Sequence, residues 1–96
     1  MASAAVCCDV NFIREQFAPL PAIESVHVLF RDNICRITVA IPKKDYSLED
    51  RIYDAQYAVM AHAPGLLIDL NIVVLGERTL DEVVSSVGQT VFLRVA

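Results

Sequence analysis

Between Ile23 and Leu75 the spacing of apolar residues changes from two to nearly four and back to two. Alternation over 23–30 and again over 34–41 predicts two strands, with Asp32-Asn33 between them. Both turn residues tolerate positive φ, as a two-residue hairpin loop requires. A turn there pairs Phe30 with Cys35, Val28 with Ile37 and Val26 with Val39, so one face of the hairpin is apolar. The opposite face carries Ser25, His27 and Leu29 on one strand, and Arg36, Thr38 and Ala40 on the other.

A helical period follows the loop Pro42-Lys43-Lys44-Asp45 and runs over residues 47–63, with Ser47 and Asp50 resembling a capping box. Leu48, Ile52, Ala55 and Val59 form its apolar stripe, Tyr46, Tyr53, Tyr57 and Met60 a second one beside it, and Pro64-Gly65 ends it. Residues 66–75 alternate again, Ile68, Leu70, Ile72 and Val74 against Asp69, Asn71, Val73 and Leu75. Upstream, Val6, Val10, Ile13 and Phe17 share one helical face over residues 3–18, with Ser3 or Asp9 as N-cap. Downstream, Thr79-Leu80-Asp81-Glu82 opens a short helix to about Val87, and Gln89 to Val95 reads as a last strand at an edge.

The resulting order, α-β-β-α-β-α-β over residues 1–96, is that of a single α+β domain. We expect a ferredoxin-like two-layer sandwich: a mostly antiparallel four-stranded sheet, helices on one face, and the third strand antiparallel beside the first. The sheet's other face is then open unless a partner covers it. It gathers His27, Leu29, Arg36, Thr38, Asp69 and Asn71, the candidate binding residues.

Composition sharpens this picture in one respect. Apolar residues make up 55% of the chain, above the roughly 45–50% usual for globular domains. In a small domain the surplus points to a homodimer interface, and Leu29 on the open face is the residue whose change to Asp tests it. A net charge of −4, with Lys43-Lys44 the one adjacent basic pair, argues against nucleic acid and anionic membranes as partners. The longest apolar segment, Leu66 to Leu75, is too short to span a bilayer. The three cysteines, Cys7, Cys8 and Cys35, are odd in number and form no C-x-x-C, so a disulfide framework is not indicated and a cytoplasmic location is expected.

Candidate chemistry is sparse. His27 and His62 have no Cys or His at metal-ligand spacing, so no metal or other cofactor is expected. Glu49, Asp50 and Asp54 suit the positive end of a helix dipole, and no nucleophile, phosphate-loop or hydrolase motif occurs. Whether the chain is an enzyme is left open. The expectation is a non-catalytic interaction or small-effector-binding module acting as a homo-oligomer. The alternative is a small enzyme using His27, Arg36 and Asp69.

Ile68-Asp69-Leu70-Asn71-Ile72-Val73-Val74 is similar to the acidic strand of minimal nucleotidyltransferases, but Asn71 stands where the second metal-binding acid would be. The hairpin-helix-strand core resembles the soluble C-terminal domain of cation diffusion facilitator transporters, and other ferredoxin-like binding modules such as ACT domains. That resemblance implies dimerisation through sheet faces or edges, with effectors or metals held between subunits.

Overall fold

The computed structural model describes residues 9–79 and 89–93. Helix α1 spans Val10–Phe17, strand β1 Ser25–Arg31, strand β2 Ile34–Ile41, helix α2 Tyr46–His62, strand β3 Leu67–Val74 and strand β4 Gln89–Leu93. The helix expected over residues 79–87 lies almost wholly outside the described residues, as do positions 3–8 of the helix expected over 3–18 and positions 94–95 of the expected last strand.

The hairpin forms as its turn chemistry requires. Asp32 and Asn33 both adopt positive φ, 54° and 65°, the combination a tight right-twisted β-turn needs. The register follows: Val26 opposite Val39, Val28 opposite Ile37, Phe30 opposite Cys35. Helix α2 begins one residue before the expected start, because Asp45 caps it in place of Ser47, accepting from the Leu48 N–H at 3.1 Å. Asp9 caps α1 in the same way, its Oδ1 accepting from the Phe12 N–H at 3.1 Å.

The sheet is mixed, with order β3-β2-β1-β4. Strand β1 is antiparallel to both β2 and β4, while β2 and β3 pair in parallel. This corrects the expected ferredoxin-like arrangement. A chain that leaves β2, crosses back along α2 and re-enters the sheet runs in the direction of β2. It therefore opposes β1, as expected, but its slot is beside β2. The place beside β1 is taken by β4 at one edge, and β3 forms the other.

One face of this sheet packs against both helices. Val26, Val28, Cys35, Ile37, Val39 and Ile41 meet Ile13 and Phe17 of α1 and Leu48, Ile52, Ala55 and Val59 of α2 in one buried cluster. Ile68, Leu70, Ile72 and Val74 complete it from β3. In β4 the register slips between Val26 and His27, so that Val26 faces Phe92 and His27 faces Thr90. Val91 is the extra residue, and this bulge lets both Val91 and Phe92 contribute to the core. Cys35 is fully buried on the hairpin's apolar face, as the alternation predicts, and is disulfide-bonded, where the sequence indicated no disulfide framework.

Candidate functional site

The six residues singled out from the sequence share the face of the sheet turned away from the helices. Strand pairing lays that face out in rows: Ser25–Ala40–Val73, His27–Thr38–Asn71, Leu29–Arg36–Asp69 and Arg31–Ile34–Leu67. The rows divide into two environments. Ser25, His27, Thr38 and Ala40 are buried, His27 at 4% exposure. Leu29 and Asp69 are half-buried, and Arg36, Asn71, Arg31, Ile34 and Leu67 are exposed. Away from the hairpin end the face is closed over β1 and β2, while Asn71 on β3 and Thr90 on β4 stay exposed.

In the buried half, His27 links two hydroxyls. Its Nε2 lies 2.8 Å from Ser25 Oγ and its Nδ1 3.1 Å from Thr90 Oγ1. A neutral imidazole donates from one nitrogen and accepts at the other, and a hydroxyl can do either, so both ring nitrogens are satisfied without a charge. Burial pushes the His27 pKa below its usual 6.5, because removing water disfavours the protonated ring. A serine bonded to a histidine is also the arrangement of an activated nucleophile. Here Ser25 is completely buried, and its hydroxyl is closed to a substrate.

The open half holds the charges. Arg36 Nε bonds Asp69 Oδ2 at 3.1 Å, with the two side chains 55% and 46% exposed. A pair this exposed adds little stability and exchanges readily with other partners. Beside it Leu29, Arg31, Asp32, Ile34 and Arg36 line a shallow recess of about 180 Å³. Of the expected constellation His27, Arg36 and Asp69, only Arg36 and Asp69 are bonded to each other. His27 is in the next row, with both nitrogens engaged elsewhere. Thr90, the partner of His27 63 residues along the chain, had no local signal in the sequence. Arg31 and Ile34 did: extending the hairpin register by one pair places both on this face.

The other histidine bridges the two helices. His62 stacks on Phe12, ring centroids 3.8 Å apart, and its Nε2 lies 3.1 Å from Asp9 Oδ2. It thereby ties the end of α2 to the start of α1. The Asp9 carboxyl is held below its usual value, first by the Phe12 N–H and then by His62. Near the other end of α2, Lys44 Nζ reaches the nearly buried Glu49 at 2.9 Å and lies 4.8 Å from the Tyr46 ring centre. Bonding to Glu49 holds the Lys44 pKa above its usual value. Tyr46, Tyr53, Tyr57 and Met60 stay exposed, at 74%, 44%, 64% and 43%.

Among the described residues no three His, Cys, Asp or Glu side chains converge as a metal site, and no helix is long and apolar enough to cross a membrane. Comparison with protein-family models, with curated proteins and with solved structures finds no match to this chain.

Proposed function

We propose that the protein is a non-catalytic module that self-associates and holds a small effector at the hairpin end of the second sheet face. The observation that carries this reading is the recess lined by Leu29, Arg31, Asp32, Ile34 and Arg36. It sets an apolar floor beside two guanidinium groups, one of them held only by an exposed, exchangeable pair with Asp69. A small molecule with one carboxylate and a short apolar body fits that chemistry: the carboxylate replaces Asp69 as the partner of Arg36, and the body covers Leu29 and Ile34. Self-association is supported by the surplus of apolar residues and by the exposed Leu67, Tyr53 and Met60.

Titration with hexanoate and benzoate, followed by amide NMR, tests the effector part. Shifts centred on Leu29, Arg31, Ile34 and Arg36 are expected, and they weaken in Arg36→Gln. Shifts spread evenly over the chain, or none, end this reading. The enzymatic alternative through His27, Arg36 and Asp69 requires His27 to leave its burial between Ser25 and Thr90, which argues for the binding module. A cytoplasmic location rests on the odd cysteine count and the missing C-x-x-C; the bonded Cys35 weighs against a reducing compartment.

A further inference from the structure

The outer edge of β3 carries a row of backbone groups with no partner among the described residues. Leu67 N–H donates to the Asn33 carbonyl at 3.3 Å and Leu75 N–H to the Ile41 carbonyl at 2.8 Å. Backbone groups alternate sides along a strand, so the odd positions face β2 and Ile68, Leu70, Ile72 and Val74 turn theirs outward. The Val74 carbonyl is already capped by Arg78 Nη2 at 2.6 Å. Ile68, Leu70 and Ile72 remain. Exposed edges are usually blunted by proline, lysine or a bulge. This one, Leu-Ile-Asp-Leu-Asn-Ile-Val-Val, has neither residue, and its pairing with β2 runs without a register shift.

A second observation lies on α2. The side of this helix near Arg51, Asp54 and His62 faces α1: Arg51 and Asp54 line a recess with Gln16 and Leu20, and His62 stacks on Phe12. Tyr53 is two residues from Arg51 and Met60 two from His62, about 200° around the helix. Helix α1 packs over β1 and β4 and α2 over β3. Tyr53 and Met60 therefore lean away from α1, above the bare edge of β3.

We propose that two copies of this chain pair the free edges of their β3 strands antiparallel about a two-fold axis at Leu70, and that Tyr53 and Met60 of the two α2 helices close the same interface. This rests on the reading of the chain as self-associating and names the surface. The three free residues select the register. With Leu70 opposite the partner's Leu70, Ile68 meets the partner's Ile72, and every outward N–H and C=O of the three is bonded. The side chains agree. Leu67 falls opposite the partner's Val73, and the Asp69 carboxylate opposite the amide of the partner's Asn71. A register placing Asp69 on the axis would oppose two carboxylates. A shift by one pair toward the strand end would require the carbonyl that Arg78 occupies. The axis stands normal to the sheet, so both α2 helices lie on one side, and their exposed aromatic stripes approach across it.

Sedimentation and amide hydrogen exchange test this together. The wild-type chain is expected at twice 10.6 kDa, with the Ile68, Leu70 and Ile72 amides protected. The surface double variant Tyr53→Glu/Met60→Glu is expected at half that mass, with those three amides exchanging freely while Asp69 and Asn71, bonded to β2, stay protected. Ile72→Pro removes one outward donor per chain and halves the mass too. Leu29→Asp, which would split a dimer built on the second face, leaves the mass doubled. A monomeric wild type removes both this dimer and the self-association reading. A doubled mass with rapid exchange at Leu70, or one lost in Leu29→Asp and kept in the double variant, overturns edge pairing alone. Protection at Leu70 that survives the double variant, with the mass still doubled, overturns the role given to α2.

Discussion

Acidification should loosen this fold through one residue, His27. Its ring is 4% exposed and bonded on both sides by neutral hydroxyls, and burial depresses its pKa from 6.5. The unfolded chain therefore takes up a proton near pH 6.5 that the native chain resists. The stabilisation is complete above that pH. It is lost as the pH falls from there to the native value, and does not change further below it. Within the window the slope approaches about 1.4 kcal/mol per pH unit, the limit for a single proton. Taking a urea m-value of roughly 1–3 kcal/mol/M for a domain of this size, one pH unit moves the unfolding midpoint by about 0.5–1.4 M. The control is His27→Gln, whose amide can still donate to one hydroxyl and accept from the other but takes up no proton. Urea unfolding followed by circular dichroism, at several values between about pH 7.5 and 5.5, stays above the range where unfolded carboxylates titrate. Groups common to both proteins cancel in the difference. The wild type should lose stability relative to the variant as the pH falls. Parallel curves, or a wild type that gains on the variant, would refute the picture of a neutral, desolvated His27.

Two further outcomes follow from the backbone and the cysteines. Asn33 holds φ at 65°, so Asn33→Val should cost roughly 1–2 kcal/mol in chemical denaturation, the penalty of a left-handed conformation for a β-carbon, whereas Asn33→Gly should cost much less; equal losses would mean that the Asn33 side chain, 3.4 Å from the Gly65 carbonyl, carries the position. Peptide mapping without reductant should find Cys35 resistant to alkylation and cross-linked to a peptide bearing Cys7 or Cys8; a freely alkylated Cys35 in denaturant would remove the bond.

The hairpin and its two faces were legible from the sequence; of the residues lining the recess, Leu29 and Arg36 were among the sequence candidates, and Arg31, Asp32 and Ile34 were not. Alternation and turn chemistry are local, and Asp32-Asn33 leaves one register in which the apolar rows agree. The same holds for the core stripe of α2 and for the direction of β3, since a crossover helix reverses the chain once. Which neighbour β3 would take was not legible. That choice depends on β4 claiming the edge of β1, a pairing between segments more than sixty residues apart, such as His27 with Thr90. The same assembly of distant segments buried His27 beside Thr90 and left Arg36 and Asp69 to pair in solvent. Local sequence determines what each segment can become, because period and turn residues act over a few bonds. Only the assembled sheet decides which polar side chains keep their water, because burial depends on every segment that arrives.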